Sequence, residues 1–277
     1  MAHVRMSALA LLVGAVLSAP VAAQAQDAPS PGQSPRIDAI RKAGALRVGV
    51  LANPPWLYEN TSGAGEKWEG PAWILVKEAA KLLKVSLQPV LVSNDTKVPA
   101  LAVNQVDITI APLAETADRL KIVDFVLYSN TSLCVFGLKS NPRIAAAKTL
   151  DDLNKPEVTI SFLVGTNSED YLKKRFPNAK HRGQISSNLV PVDEIIAGRS
   201  DAALVNRVQW VALNRKVPTL TVLPKENNCQ DSQENAQPVG MAIDKNQDAF
   251  LGWLRAVSTR LQAQMKADEM RIIQEKL

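Results

Sequence analysis

The stretch LRVGVL at residues 46–51 is a short run rich in β-branched residues, a composition typical of a buried strand. Similar runs follow at residues 85–92 and 106–110, and helical apolar patterns lie between the three runs, at residues 72–83 and 97–105. Because parallel strands need long crossover connections, this alternation predicts a parallel sheet that is covered by helices.

The alternation is repeated in the second half of the chain. Strand patterns at residues 133–138 and 158–163 precede a helical pattern at 168–176, and a strand pattern at 202–205 precedes a helical pattern at 208–214. This order of elements predicts two α/β units. The remaining expected elements are helices near 150–153 and at 192–197, strands at 219–223 and 239–243, and one or two helices within 249–277.

The composition excludes several classes of protein. Hydrophobic residues make up 46% of the 277 residues and charged residues 21%, as in a globular protein. The net charge of +5 is spread without runs of Lys or Arg, so no nucleic-acid partner is expected. His3 and His181 are the only histidines, and the two cysteines lack ligand spacing. We therefore expect no zinc site, no histidine-dependent catalytic triad and no cofactor.

The first 25 residues have the features of a secretory signal peptide. A start that contains Arg5 and no acid precedes an almost wholly apolar run, and Ala23 and Ala25 are small residues of the kind that a signal peptidase recognises. A transmembrane anchor is the alternative, but the run is shorter than the about 20 residues that a span needs. We expect residues 1–25 to be removed, residues 26–35 to form a flexible leader, and the mature protein to be periplasmic.

The motif GTNSED at residues 165–170 follows a predicted strand and opens a predicted helix. Gly165 permits a tight turn, and Thr166, Asn167 or Ser168 can cap the helix while its first N–H groups point toward an anion. The same residues also make an ordinary helix start with acids in the first turn. The motif alone leaves both interpretations open.

A series of short motifs begins at residue 46. Each motif is a weak signal by itself, but their joint order and spacing are specific to one family. They read LRVGV (46–50), PPW (54–56), WEG (68–70), KVPAL (97–101), VDITIA (106–111), TADR (116–119), VDF (123–125), TLDDL (149–153), VGTNSEDYL (164–172), GRSDAA (198–203) and VGMAI (239–243). Together they resemble the bacterial extracellular solute-binding proteins of family 3, the periplasmic binding proteins of amino-acid ABC transporters.

The resemblance implies an α/β, two-lobed periplasmic-binding-protein fold of type II, hinged by two crossing segments near residues 129–133 and 237–240. Lobe 1 would comprise residues 36–130 and 239–277, and lobe 2 residues 131–238. Such proteins close on a ligand in the cleft and present it to the membrane subunits of an ABC permease. We therefore expect a monomeric binding protein, not an enzyme, whose ligand is an amino acid or a related small carboxylate.

Several residues match positions at which the family contacts its ligand. Arg119 matches an arginine that grips the ligand's carboxylate, which suits a planar group that gives two charge-assisted hydrogen bonds. Thr166 and Asn167 match the helix start that contacts the same carboxylate from lobe 2. Lys97 matches a basic position that contacts the distal group of acidic ligands, and a surface helix lysine is the alternative.

The loop after the first strand is where the family places aromatic walls against the ligand. Asn53 and Trp56 lie on this loop. Core packing is the alternative role for Trp56.

Three positions depart from the family's pattern. Asn206 stands where amino-acid binders carry the aspartate that pairs with the α-ammonium, Ala114 replaces a hydroxyl donor, and Leu51 replaces an acid. The cleft would therefore keep its contacts to an anion and lose those to a cation. This favours a keto, hydroxy or dicarboxylic acid, with an ordinary amino acid as the alternative. Glu115 is the one nearby acid that could restore a contact to an ammonium.

Two further points stay open at this stage. Cys134 and Cys229 would lie in an oxidising compartment near the hinge, but a disulfide between them depends on a Cα separation that sequence does not give. Some proteins of this fold are dehydratases that act on cyclic carboxylates, and a cleft enzyme of this kind is the alternative function. No positioned acid and base pair supports it in the sequence.

Overall fold

The computed structural model describes residues 27–185 and 191–277. The predicted signal peptide, residues 1–25, lies outside the described residues. The described residues form two five-stranded sheets, each packed against helices, and a small two-stranded hairpin. Within these ranges, no helix combines the length and the apolar composition needed to cross a membrane.

Helices and strands alternate along both halves of the chain. The first half contains α1 (Pro35–Ala43), β1 (Ala45–Val50), β2 (Tyr58–Glu59), β3 (Trp68–Glu69), α2 (Pro71–Leu83), β4 (Ser86–Leu91), α3 (Pro99–Ala102), β5 (Ile108–Ala114) and β6 (Val123–Thr131). The second half contains β7 (Leu133–Leu138), α4 (Pro142–Ala146), β8 (Thr159–Leu163), α5 (Asn167–Arg175), β9 (Lys180–Gln184), α6 (Val192–Ile196), β10 (Ala202–Asn206), α7 (Arg207–Lys216), β11 (Leu220–Leu223), β12 (Gln237–Asp244) and α8 (Asp248–Glu275). Single turns of 3-10 helix lie at Arg119–Lys121, Leu150–Leu153 and Glu226–Cys229.

The first sheet has the strand order β4-β1-β5-β12-β6. Strand β1 is parallel to β4 and β5, whereas β12 is antiparallel to β5 and β6. The apolar residues of α2, among them Leu75 and Val76, pack with Leu254 and Val257 of α8 and with the buried side chains of β1 in one core cluster. The long C-terminal helix therefore completes the core of the sheet that the N-terminal strands begin.

The second sheet has the strand order β11-β7-β10-β8-β9. Strands β10, β8 and β9 are parallel, and β7 is antiparallel to β10 and β11. One core cluster contains Leu172 and Phe176. Another contains Phe136 and Trp210, whose rings stack with centroids 6.0 Å apart. Both faces of this sheet are thus buried, as expected of a parallel-rich sheet.

The chain crosses between the two sheets twice. It leaves the first sheet at Ser132, between β6 and β7, and returns to it at Gln237, where β12 begins. Cys134 at the start of β7 and Cys229 before the return are joined in a disulfide, with a Cα separation of 6.2 Å. The exact residue bounds of the two lobes stay a prediction.

Some elements differ from the sequence patterns, for physical reasons. The helix expected at residues 97–105 is only the single turn α3, because Val103 leaves helical geometry and Asn104 has φ 56°. Strand β9 has no apolar pattern because it is a polar edge strand that pairs with β8 alone. Helix α1, which the patterns do not predict, begins within the last residues of the expected leader 26–35, where Ser34 caps it and Pro35 fits its first turn.

Removing the disulfide should destabilise the protein. The bond joins residues 95 apart, so the double variant Cys134→Ala/Cys229→Ala should lose about 2–5 kcal/mol of unfolding free energy through the freedom gained by the unfolded chain. Urea unfolding of the variant, of the oxidised wild type and of the reduced wild type measures this. Equal midpoints for the variant and the oxidised wild type would contradict the prediction.

Candidate functional site

The carboxyl ends of the parallel strands in the two sheets carry the candidate site. In the first sheet, Asn53 follows β1, Lys97 follows β4 and Arg119 follows β5, so all three come from the same edge. In the second sheet, Thr166 follows β8 and Asn206 ends the neighbouring strand β10. Open α/β sheets bind ligands at this edge because helix starts and loops converge there.

One cleft between the two sheets collects the residues that the sequence singles out. Its volume is about 80 Å³, several times the about 10–15 Å³ that a single water needs. All eight expected contact residues line it: Asn53, Trp56, Lys97, Ala114, Arg119, Thr166, Asn167 and Asn206. Sequence reasoning missed the other lining residues: Asn94, Pro112, Thr131, Leu133, Leu163, Ser168, Leu204, Val205, Gln209 and Val239.

Arg119 is half-buried and opens the 3-10 turn after β5. Its Nη1 donates a hydrogen bond to the carbonyl oxygen of Ala114 at 2.8 Å, and no ion pair of Arg119 occurs in the described ranges. Burial lowers the pKa of Arg119, and the field of Asp170 opposes this shift. An arginine has five N–H donors, so most of this guanidinium is available to a ligand.

Lys97 is buried, with 4% of its surface exposed, so the surface-lysine alternative is wrong. Its Nζ donates to Asn94 Oδ1 at 2.9 Å and to the carbonyl oxygen of Pro112 at 3.3 Å. Burial, with the added repulsion of Arg119, lowers the pKa of Lys97 to about 7, and Asp95 acts in the opposite direction. The lysine can therefore gain or lose its charge near neutral pH.

The N-terminus of α5 faces these two cations from the second sheet. Thr166 caps the helix by accepting a hydrogen bond from the Ser168 N–H at 3.3 Å, and its hydroxyl donates to the carbonyl oxygen of Leu163 at 2.7 Å. Asn167 Nδ2 donates to Gln237 Oε1 at 2.7 Å. Because the first N–H groups of a helix carry partial positive charge, this end of the cleft also favours an anion.

A chain of neutral hydrogen bonds lines the opposite corner of the cleft. The Thr131 hydroxyl donates to Asn206 Oδ1 at 2.9 Å, and Asn206 Nδ2 lies 3.4 Å from Gln209 Oε1. Gln209 Nε2 donates in turn to Asn53 Oδ1 at 2.8 Å and to the carbonyl oxygen of Pro54 at 3.1 Å. Because Gln209 follows β10 and Asn53 follows β1, these bonds hold the two sheets together across the cleft.

Trp56 lines the cleft and is also part of the core. Only 1% of its surface is exposed. Its Nε1 donates to Ser129 Oγ at 3.0 Å, and the Ser129 hydroxyl donates to Glu269 Oε1 on α8 at 2.9 Å. Burial raises the pKa of Glu269, and its hydrogen bond with Ser129 opposes this rise. The indole is therefore fixed by a buried polar chain, which makes it a rigid wall of the cleft.

The loops after strands of the two sheets approach each other closely at Gly165. Its backbone has φ 74°, and a Cβ built there would overlap an Asp95 carboxylate oxygen and touch the backbone of Asn94. A residue with a side chain would be strained at this φ, would displace the exposed Asp95 carboxylate and would crowd the Asn94 backbone, whose carbonyl carbon lies 3.1 Å from the added Cβ. Glycine at this position therefore favours the close approach of the two loops.

A model of the bacterial extracellular solute-binding proteins, family 3, matches residues 46–276 of the chain. The chain belongs to this family. The predicted α/β fold of two lobes, a type II periplasmic-binding-protein fold, is thereby confirmed, as is the resemblance on which that prediction rested. No curated protein sequence matches the chain.

Solved structures of this family are similar to the chain over most of its length. The ancestral amino-acid-binding protein AncCDT-1, a precursor of cyclohexadienyl dehydratase, is 27% identical, with a TM-score of 0.69 over 86% of this chain and 98% of its own. A mutant of ArgBP from T. maritima is 25% identical, with a TM-score of 0.70 over 87% and 98%. A putative ABC-transporter binding component from Wolinella succinogenes DSM 1740, complexed with lysine, is 26% identical, with a TM-score of 0.69 over 83% and 94%.

Two acids near the site in sequence or space do not line the cleft. Glu115 follows Ala114 directly, yet it lines an adjoining groove with Asp118 and Asp170, which shares Asn167 with the cleft. Asp95 lies on the loop that carries Lys97. Its side chain is exposed to solvent and lies next to Gly165. Among the described residues, the cleft lining thus contains two cationic side chains and no carboxylate.

The burial of Lys97 predicts a pH dependence of stability. Because the pKa of Lys97 is about 7 in the folded protein and near 10.5 in the unfolded chain, the unfolded state binds more protons between these values. The unfolding free energy of the wild type, relative to that of Lys97→Met, should therefore rise by up to about 1.4 kcal/mol per pH unit above pH 7.

Urea unfolding between pH 6 and pH 9 measures this dependence. Lys42→Met, which removes an exposed lysine of α1, is the matched control and should keep the slope of the wild type. Parallel stability profiles for the wild type and Lys97→Met would show that Lys97 stays fully charged in the folded protein.

Proposed function

We propose that the protein is the periplasmic binding component of an ABC uptake transporter, a monomer that binds an amino acid or a related small carboxylate and delivers it to membrane permease subunits. The observation that carries this proposal is the cleft, in which Arg119 and the N-terminus of α5 face each other from the two sheets. Membership of an extracellular solute-binding family and the signal-peptide pattern of residues 1–25 support export.

Charge recognition and closure would be coupled in such a protein. Arg119 and Lys97 both follow strands of the first sheet, so that lobe can capture an anion while the cleft is open. Closure would then bring the start of α5 to the bound anion. It would also form the hydrogen bonds from Gln209 to Asn53 and to the Pro54 carbonyl. A ligand that contacts both lobes shifts the population toward the closed form, which the permease would recognise.

A cleft enzyme is the second candidate, because one similar structure is a precursor of a dehydratase and Lys97 could act as a base near neutral pH. Acid–base catalysis needs a second group to supply a proton at the other end of the reaction. Within the described residues, neither a carboxyl group nor a histidine lines the cleft beside Lys97 and Arg119. This composition favours binding without chemistry, and recovery of every bound compound unchanged after long incubation would agree with it.

Thermal-shift screening of amino acids and small carboxylic acids tests the binding function. At least one compound should raise the melting temperature of the wild type, because a ligand that binds only the folded state stabilises it. Arg119→Ala should abolish that shift, since a buried carboxylate would lose its charged partner. Arg215→Ala removes an exposed arginine of α7 and should keep the full shift. A normal shift with Arg119→Ala would show that the anion binds elsewhere.

The glycine contact between the lobes gives a test of closure. Gly165→Ala should weaken binding of the screened ligand by about threefold or more, because the added Cβ displaces the Asp95 carboxylate and crowds the Asn94 backbone when the cleft is closed. Gly198→Ala is the control, since Gly198 has φ 67° and no atom within 4 Å of an added Cβ. It carries the same backbone strain without the collision. Equal affinities of the two variants, measured by titration calorimetry, would contradict the role of Gly165 in closure.

A further inference from the structure

The charge balance of the cleft is unusual for a site that would hold a zwitterion or a cationic amino acid. Arg119 and Lys97 are the charged side chains of the lining, in the part of the chain that the structure describes. The acids whose fields act on them, Asp170 and Asp95, are exposed and do not line the cleft. A buried ammonium group would find two like charges here and no counter-charge within the cleft.

The two cations are hydrogen-bonded to carbonyl oxygens of the same strand. Lys97 Nζ is bonded to the carbonyl oxygen of Pro112 and Arg119 Nη1 to that of Ala114. These carbonyls lie two residues apart on β5, so they point the same way and are about 7 Å apart along the strand. This spacing suits a ligand with two anionic groups separated by a short carbon chain.

The neutral corner of the cleft is poorly suited to an ammonium group. Asn206 Oδ1 already accepts from the Thr131 hydroxyl, and Gln209 Oε1 faces Asn206 Nδ2. Asn53 Oδ1 accepts from Gln209 Nε2. Each amide oxygen of this corner therefore already faces a hydrogen-bond donor, and none of them carries a formal charge.

We propose that the cleft selects a small organic dianion without an ammonium group, such as a dicarboxylate, with one anionic group bound by Arg119 and the start of α5 and the other by Lys97. This inference rests on the proposed function and narrows the class of its ligand. It also separates the chain from its structural neighbours that are described as binding lysine or arginine, which carry an ammonium group.

Binding of a dianion should be coupled to protonation of Lys97. The groups that act electrostatically on its Nζ are Arg119 and the exposed Asp95, and its polar partners are Asn94 and the Pro112 carbonyl. The pKa of Lys97 in the empty cleft is about 7, and a bound anionic group would raise it. Above pH 7 the ligand must therefore bring a proton with it, and its affinity should fall by up to about tenfold per pH unit.

Titration calorimetry with three matched compounds tests the ligand class. 2-Oxoglutarate carries two carboxylates and no ammonium, L-glutamate replaces the keto group with an ammonium, and 2-oxopentanoate lacks the distal carboxylate. We expect 2-oxoglutarate to bind at least about tenfold more tightly than either of the others. The affinity for 2-oxoglutarate should fall between pH 7 and 8.5 in the wild type, and Lys97→Met should remove both this fall and the preference over 2-oxopentanoate.

A charge substitution tests the missing counter-ion directly. Asn206→Asp should weaken the binding of 2-oxoglutarate and strengthen the binding of L-glutamate, so that the ratio of the two affinities changes at least about tenfold. Asn178→Asp, which adds the same charge at an exposed site of lobe 2, should leave the ratio unchanged. Melting temperatures of both variants verify that each is folded.

The outcomes separate this inference from the proposed function. Tight binding of L-glutamate or L-arginine to the wild type without binding of 2-oxoglutarate would overturn the proposal of a dianionic ligand. It would leave the proposed binding function intact. Failure of 2-oxoglutarate and succinate to bind, together with no shift from any amino acid or small carboxylic acid in the thermal-shift screen, would overturn both.

Discussion

Buried Lys97 and half-buried Arg119 place two cationic side chains in one cleft, without a carboxylate among the lining residues that the structure describes. Such charges are costly to bury, and each would be stabilised by an anion at hydrogen-bond distance. The remaining features of the cleft also favour a bound anion. The N-terminus of α5 adds partial positive charge, and the opposite corner is neutral. We therefore propose that the cleft is an anion site that a bound ligand completes.

The sheets bring these groups together because their parallel strands end at facing edges. Loops after β1, β4 and β5 supply the cations and Trp56, and the ends of β8 and β10 supply the helix start and the amides. The two crossings at Ser132 and Gln237 are the points about which the edges can separate. At the contact between the edges, Gly165 leaves room for the loop of Asn94 and Asp95, although Gly165 is not itself among the residues that line the cleft.

The sequence predicts the alternating elements well because buried strands and amphipathic helices have strong apolar periodicity. The polar edge strand β9 has no such pattern and is missed. The lining positions that belong to family motifs, such as Arg119, can be placed from sequence, but Gln209 and Asn94 cannot. Neutral amides on loops have no characteristic pattern, and their role depends on the distance between the lobes.

The burial of individual side chains and the pairing of the two cysteines are also not determined by the sequence patterns. Lys97 has polar neighbours in the chain and is still buried, because β5 passes beneath its side chain and supplies the Pro112 carbonyl. Glu115 is adjacent to Ala114 and yet lines another groove. The disulfide of Cys134 depends on a Cα separation that only the fold determines.

The most direct test of this anion site is the identity of the compound that the protein retains when it is purified, without unfolding, from the cells that naturally produce it. Mass spectrometry of the small molecules released on denaturation should find an organic acid with two acidic groups and no amine. Release of a lysine, an arginine or another amino acid in stoichiometric amount would contradict this account of the cleft.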